Sequence, residues 1–312
     1  MGSSMCLRTM WRATGWVIWD TFQQTRASSA FWLLLGVSFL AIVFCLSIGI
    51  VDKGPLYTPD DIEINPHRGQ LQIGFGAFTM PLPRDDRSAV LLIQVLLAEW
   101  VAGTIGVLLA LIWTAGLLPS FLDATTATVL LAKPVPRAIL LIGKVLGVVA
   151  LFSFQMAVFV VGTWVALAIR TQVWEAQYLM CLPLVIAQFF ALFSVSALLA
   201  VVSRSTVVTI VGVILFWALC YGVNYSYHAI AMDLSGPTTV QVVAINAAYW
   251  SLPKPVDTLV IINRVLEANR HFAMTPELHE ARISVALTLA TSFMFGLAVL
   301  AVAIQRFARA QY

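Results

Sequence analysis

The sequence predicts an all-α membrane protein with six transmembrane helices, and three observations support this fold class. Of the 312 residues, 60% are hydrophobic and only 11% are charged, whereas soluble domains carry about 25% charged residues. A hydrophobic core cannot explain this composition, because a soluble protein still needs a polar surface. Six apolar segments are long enough for a membrane-spanning helix, which needs about 20 residues. Short polar joints and two longer loops separate these segments.

The six apolar segments follow one another within a single domain that occupies residues 1–312. The first segment is longer than the apolar core of a cleaved signal peptide, which has about 7–15 residues, so we expect it to remain as an uncleaved span. The longest loop, residues 229–283, lies between spans 5 and 6 and is predicted to face the outside. The predicted spans are 30–51, 90–118, 138–169, 179–202, 206–228 and 284–304.

The N-terminal segment, residues 1–29, is predicted to contain an amphipathic helix before span 1. Aromatic residues stand there among polar and basic neighbours, a pattern typical of helices that lie in the membrane interface. These aromatic residues are Trp11, Trp16, Trp19 and Phe22.

The distribution of lysine and arginine predicts that both chain termini are cytoplasmic. Each side of the membrane would hold nine basic residues, so the number of basic residues alone does not determine the orientation. The cytoplasmic ones stand close to the span ends with only two acids among them, Asp20 and Asp123. The outer nine are spread over longer loops with twelve acids. The short basic turn at Arg204 favours the same orientation.

A helix outside the spans is predicted in the outer loop, over residues 256–266. Apolar residues recur there at helical spacing, and Pro255 suits the first helical position. Asp257, Arg264 and Glu267 are expected on the wetter face. The pattern fits a short helix on the outer membrane surface, which is either an ordinary loop helix or a gate for a substrate.

The titratable side chains predict neither a metal site nor an intramembrane enzyme. Four cysteines and four histidines are scattered along the chain, without the spacing of common zinc sites. No paired acid or nucleophile–base arrangement lies within the spans, so we predict that the chain is not an enzyme. The net charge of +3 and the lack of a basic cluster interleaved with aromatic residues give no indication of nucleic-acid binding.

Three polar residues are candidates for a transport pathway: Glu99, Tyr221 and Asn224. Glu99 is the only acid inside an apolar segment, and a carboxylate inside the bilayer is costly and usually functional. The alternative places Glu99 at the outer interface beside Trp100. Tyr221 and Asn224 belong to a polar and aromatic group at the outer end of span 5, where aromatic residues also serve as interface anchors. Both alternatives stay open.

The most informative stretch is the elbow, residues 119–137, between spans 2 and 3. Pro119 ends span 2, and the mixed residues after it fit a short helix parallel to the membrane. Lys133-Pro134-Val135-Pro136-Arg137 then forms a basic turn in which two prolines fix φ and remove amide donors. Such a stiff turn transmits displacement, although an ordinary cytoplasmic loop is the alternative. Gly143 and Gly147 follow at a spacing that lets helices approach closely.

These residues resemble a known family. Residues 130–137 (Leu-Leu-Ala-Lys-Pro-Val-Pro-Arg) and 143–147 (Gly-Lys-Val-Leu-Gly) are similar to a segment of ABC transporter permeases of the type-2 export class. Thr114-Ala115-Gly116 and Pro119-Ser120-Phe121-Leu122 are similar as well. So are the six spans, the interfacial N-terminal helix and the long loop between spans 5 and 6. Thr125-Thr126 departs from the Gly-Thr pair that this family often has in its coupling helix.

The resemblance implies that the chain is the permease subunit of an ATP-driven exporter in the bacterial inner (plasma) membrane, with a substrate that the sequence does not identify. Two copies, or one copy with a homologue, would pair in the bilayer, and each would bind a separate ATPase subunit. The chain itself would bind no cofactor, because ATP and Mg²⁺ belong to the ATPase. By resemblance, the ATPase-coupling residues are Phe121, Leu122, Asp123, Leu130, Leu131, Lys133, Pro134, Pro136 and Arg137.

Two other classes of function deserve comparison. A non-transporting membrane scaffold or assembly factor could hold a partner through the same basic loop. An ion-coupled secondary carrier is disfavoured, because such carriers bury ionisable residues near the membrane midplane and show repeated halves.

Overall fold

The computed structural model describes residues 15–52, 69–81, 86–122, 136–232, 238–267 and 284–309. The helices are α1 (15–26), α2 (Ser29–Leu46), α3 (Asp86–Leu96), α4 (Val107–Thr114), α5 (Leu117–Leu122), α6 (Arg137–Thr171), α7 (Cys181–Ser203), α8 (Thr206–Ala231), α9 (Thr239–Ser251), α10 (Pro255–Val265) and α11 (Val285–Arg309). A π-helix, Leu97–Gly106, joins α3 to α4, and a 3₁₀-helix, Ala176–Met180, precedes α7. The strands are β1 (Gly49–Asp52), β2 (Gly69–Ile73) and β3 (Phe78–Pro81).

Six helices in the described residues are long and apolar enough to cross a membrane, which confirms the predicted number of spans. Their bounds are Ser29–Leu46, Arg87–Pro119, Ala138–Thr171, Ala176–Ser203, Thr206–Ala231 and Val285–Arg309. We number them spans 1 to 6. The chain is therefore a largely helical membrane protein.

Span 1 ends at Leu46 rather than at the predicted residue 51. The next residue, Ser47, turns its oxygen atoms toward a hairpin: its carbonyl oxygen accepts from the Phe75 amide (3.0 Å) and its hydroxyl accepts from the Gly74 amide (3.2 Å). These bonds draw the chain away from the helix axis and into strand β1. The end of the span is thus set by a tertiary contact that the run of apolar residues does not reveal.

The three-stranded antiparallel sheet, in the order β1-β2-β3, was not predicted. Its strands have four or five residues each, so the hydrophobic signal of each is weak. The alternation Gln-Leu-Gln-Ile over 70–73, followed by Gly74 and Gly76 at positive φ (68° and 95°), is the signal that favours a hairpin there.

The two ends of the helical bundle carry different structures. At the end that we call the α1 end, Lys144 Nζ of span 3 donates to Gln24 Oε1 of α1 (2.7 Å), and Trp113 Nε1 of span 2 donates to Ser28 Oγ (3.4 Å). The opposite end, the sheet end, contains the three strands, α9, α10 and an ion pair between Arg87 and Glu175 (2.6 Å).

Helix α1 packs one face against the bundle, and its position in the membrane interface stays a prediction. Val17, Thr21 and Thr25 are buried, and both threonine hydroxyls bond to backbone carbonyls one turn earlier. Trp16 and Trp19 are exposed on the other side. A Cβ added to Gly147 would lie 3.0 Å from Thr21, so the small residue at this position lets α1 pack directly on span 3.

The core of the bundle surrounds span 4. In the most apolar part of span 4, 61% of the residues are buried, compared with 17% in spans 5 and 6. Phe189 of span 4 stacks between Phe152 of span 3 and its own neighbour Phe193, with ring centroids 3.9 and 5.4 Å away. Among the described residues, spans 5 and 6 therefore expose most of their apolar side chains.

Candidate functional site around helix α10

Helix α10 is the most deeply buried element outside the spans. Eight of its eleven residues are buried, and it contacts spans 2, 4, 5 and 6. Pro255 occupies its first turn, where a missing amide donor costs nothing. The buried residues are Pro255, Val256, Asp257, Thr258, Val260, Ile261, Ile262 and Asn263. The predicted helix over 256–266 is thus observed, and it packs against four of the spans.

Asp257 connects α10 to spans 5 and 6 and to α9. One carboxylate oxygen lies 2.5 Å from His228 Nε2 of span 5. The other accepts from the Tyr249 hydroxyl of α9 (2.5 Å) and from the Thr288 hydroxyl of span 6 (3.5 Å). The Asp257 amide donates to Asn224 Oδ1 of span 5 (3.0 Å). We call these five residues the Asp257 cluster.

The prediction that Asp257 lies on the wetter face of this helix is wrong, because the residue is completely buried. Its carboxylate stays inside because three donors replace water and because it occupies the first turn of a helix, where the macrodipole favours an anion. His228 Nδ1 and Asn224 Nδ2 are buried with no hydrogen-bond partner among the described residues. The cluster is therefore tightly bonded on the aspartate side and incompletely satisfied on the span 5 side.

A cation and two aromatic rings lie beside the cluster. Lys254 is buried, and its Nζ donates to the Thr291 hydroxyl (2.6 Å) and lies over the rings of Tyr249 (4.7 Å) and Trp250 (5.0 Å). Burial lowers the pKa of Lys254, although the Asp257 carboxylate acts in the opposite direction. Burial also raises the pKa of Tyr249, and its hydrogen bond to Asp257 adds to that effect.

The second polar contact of α10 is with the π-helix of span 2. Asn263 Nδ2 donates to Glu99 Oε1, and the Glu99 carbonyl accepts from the Thr104 hydroxyl (3.0 Å). One turn further along, Gln188 Nε2 of span 4 donates to the Gly103 carbonyl (3.2 Å). π-Helical turns are rare and often mark functional sites. Here the wide turn brings both a carboxylate and a backbone carbonyl toward neighbouring helices.

The structure brings two of the three predicted pathway residues to the same helix. Asn224 bonds to the amide of Asp257 and Glu99 bonds to Asn263. The two positions on α10 are six residues apart, which is about 9 Å along the helix. Tyr221 instead packs against Trp217 of its own span, with ring centroids 5.5 Å apart.

The predicted ATPase-coupling residues lie partly outside the described residues. Phe121 and Leu122 are the last residues of α5, Pro136 is exposed before α6, and Arg137 begins α6. Of the helix-packing glycines, Gly143 is buried and Gly147 contacts α1 as described above. Asp123, Leu130, Leu131, Lys133 and Pro134 lie outside the described residues.

A groove of about 620 Å³ opens between spans 4 and 6, with α10 as its floor. Its lining is apolar, so it suits hydrocarbon rather than an ion. Lining residues include Met180, Leu184, Ile261, Val265, Leu289 and Phe293. No group of three or more metal-ligating side chains occurs within the described ranges.

Sequence reasoning missed the His228–Asp257 pair. The two residues are 29 positions apart, and His228 ends an apolar span while Asp257 begins a helix in a loop, so no spacing motif joins them. The nearest signal is an acid two residues after a proline in an otherwise apolar stretch. Comparison of the chain with protein-family models, curated proteins and solved structures finds no match.

Proposed function

We propose that the chain is the membrane-spanning subunit of an ATP-driven exporter of the ABC type-2 class, powered by a separate ATPase. The observation that carries the proposal is that span 2 links the elbow to α10. Its last helix, α5, continues into the elbow as far as Leu122, and its π-helix bonds to α10 through Glu99.

The α1 end supplies a stiff support for the elbow. On the far side of the elbow, helix α6 of span 3 begins at Arg137 and is held to α1 by the Lys144–Gln24 bond and by the close contact at Gly147. In the proposed mechanism α1 lies in the membrane interface. Force applied to the elbow by an ATPase would then move span 2 relative to this fixed pair of helices.

At the sheet end, a movement of span 2 acts on α10. A Cβ on Gly103 would lie 2.9 Å from the Leu259 side chain, so the backbones of the π-helix and α10 are in close contact. Span 2 cannot shift along its axis without moving α10 or breaking the Glu99–Asn263 bond. In this mechanism α10 is the gate, and the Asp257 cluster holds it against spans 5 and 6.

The proposal assigns the α1 end to the cytoplasm and the sheet end to the outside. The apolar residues Leu130 and Leu131 and the basic residues Lys133 and Arg137 would contact the ATPase, which binds ATP and Mg²⁺. A second copy or a homologue would complete the transporter.

Co-purification with the ATPase encoded beside this chain tests the proposal. We expect Lys133→Glu and Arg137→Glu to release the ATPase while membrane insertion is unchanged. Arg309→Glu, a charge reversal at an exposed position in the last turn of span 6, is the matched control and should retain it. Full retention of the ATPase by both elbow variants would contradict the proposal. So would a cysteine at position 133 that a labelling reagent reaches only from outside the cell.

One observation favours a second candidate, an ion-coupled secondary carrier. The buried His228–Asp257 pair is the kind of ionisable pair that such carriers use. A carrier of this kind would transport in vesicles without any ATPase and would lose transport in Asp257→Asn. The exporter would require ATP in the same assay.

A further inference from the structure

The three-stranded sheet has one apolar face and one mixed face that carries its polar side chains. Cross-strand partners share a face, and neighbours along a strand alternate. The register pairs Ile50 with Leu71, Leu71 with Met80, and Ile73 with Phe78. These five residues therefore lie on one face. Gln70, Gln72 and Thr79 lie on the other, together with Val51.

The apolar face begins on the helical bundle and extends beyond it. Leu71 of the central strand is only 9% exposed and belongs to the hydrophobic core, against which Ile50 and Ile73 also pack. On the edge strand β3, the same face carries Phe78 and Met80, which are 67% and 55% exposed. The sheet thus overhangs the bundle, and the overhanging part turns its apolar side in the direction of the bundle.

The hairpin tip lies at the level where span 1 ends. The Phe75 amide bonds to the carbonyl of Ser47, which directly follows the last residue of span 1. Phe75 is 70% exposed and has a positive φ of 57°. This conformation is rare for a bulky residue, whereas glycine adopts it without strain. An aromatic side chain here needs a compensating contact.

We propose that Phe75, Phe78 and Met80 form a lipid-contacting edge that inserts into the leaflet at the sheet end. The apolar side of the overhang is turned toward the bundle, and the overhang lies at the height where span 1 ends. In a membrane, lipid beside the bundle would therefore be in contact with this apolar side. Phenylalanine is among the apolar side chains that interfacial segments bury at the boundary between headgroups and acyl chains. The mixed face with Thr79 remains in water. The sheet is thereby held on two sides: β1 and β2 pack on the bundle, and β3 contacts lipid.

Depth-dependent quenching tests this edge in the full chain reconstituted in lipid nanodiscs. Single cysteines at Phe78 and Met80 would carry an environment-sensitive fluorophore, with Cys6 replaced by serine. The described cysteines, Cys45, Cys181 and Cys220, are buried. Thr79→Cys is the matched control, because it is exposed on the same strand and faces the other way.

We expect brominated acyl chains to quench the fluorophore several-fold more strongly at positions 78 and 80 than at 79. Iodide in the aqueous phase should show the reverse order. Equal iodide quenching at all three positions would overturn the proposal. A photoreactive phenylalanine analogue at position 78 provides a second measurement that leaves the fold unchanged. Lipid adducts would support the proposal, whereas adducts to a second copy or within the same chain would overturn it.

Discussion

The two helices between spans 5 and 6, α9 and α10, differ in how much of each is buried. Helix α9 has thirteen residues, none of them charged, and Tyr249 is its one buried residue. Helix α10 contains Asp257 and Arg264 among eleven residues, yet eight of its residues are buried. The more polar helix is thus the one inside the protein.

This difference shows what selects the interior of a membrane protein. Lipid is as apolar as a leucine side chain, so apolar residues gain little by leaving lipid for a protein interior. A carboxylate or an amide gains a great deal, because lipid offers it no hydrogen bonds. Asp257 and Asn263 bond to spans 5 and 2 and so determine which helix is drawn between the spans.

The largest effect is expected when the Asp257 cluster is broken. Asp257→Ala leaves the buried side chains of His228, Tyr249 and Thr288 without the carboxylate that they contact, and breaking a buried ionic contact typically costs about 3–5 kcal/mol. We expect a loss of that size in the free energy of unfolding, measured by denaturation in mixed micelles. Ser251→Ala, an exposed change in α9, should alter it by about 0.5 kcal/mol or less. Equal losses in the free energy of unfolding for the two variants would contradict this difference between α10 and α9.

A smaller effect is expected at the contact between α10 and span 2. Asn263→Leu leaves the Glu99 carboxyl group without its partner, which costs about 1–3 kcal/mol for a buried polar group. In the double variant Glu99→Leu/Asn263→Leu most of that loss should be recovered, because an apolar pair needs no partner. Additive losses in this double-mutant cycle would mean that the two side chains stabilise the protein independently.

Alkaline pH should weaken the cluster through Tyr249. The pKa of Tyr249 is raised in the folded protein by burial and by its bond to Asp257. Its contribution to stability is therefore fully present below the unfolded tyrosine pKa of about 10 and is lost as the pH rises above that value. Lys254 affects stability in the opposite direction. Because its pKa is lowered in the folded protein, its charged form destabilises the fold, and this destabilisation disappears as the pH rises.

We expect Tyr249→Phe to be less sensitive than the wild type to a rise from pH 9 to pH 11, in thermal unfolding measured in detergent. Tyr225→Phe, a change at an exposed tyrosine of span 5, serves as the control and should keep the wild-type sensitivity. An unchanged pH profile in Tyr249→Phe would show that its hydroxyl does not respond to pH within the cluster.

The smallest effect is expected at the start of α9. The Thr238 hydroxyl accepts from the Gln241 amide, and the Gln241 side chain accepts from the Thr238 amide, so the two form a capping box. Thr238→Ala should cost about 1 kcal/mol. Because α9 has few tertiary contacts, we expect faster hydrogen exchange in α9 alone. Faster exchange in α10 as well would show that the two helices unfold as a unit.

The spans could be predicted from the sequence because their cause is local. Each needs about 20 apolar residues in a row, and this run is visible without any partner. The start of α10 is local for the same reason, since Pro255 presets the first turn. The predicted coupling residues 123, 130, 131, 133 and 134 remain predictions, because they lie outside the described residues.

The burial of Asp257, the partner of Glu99 and the three-stranded sheet could not be predicted, because their causes are not local. Asp257 meets a histidine 29 positions away, Glu99 meets an asparagine 164 positions away, and the hairpin tip bonds to Ser47 from 27 positions along the chain. A sequence displays which side chains avoid lipid, but the folded chain alone decides which of them meet. Hydrogen bonds act over a few ångströms, and only packing of the spans brings distant residues that close.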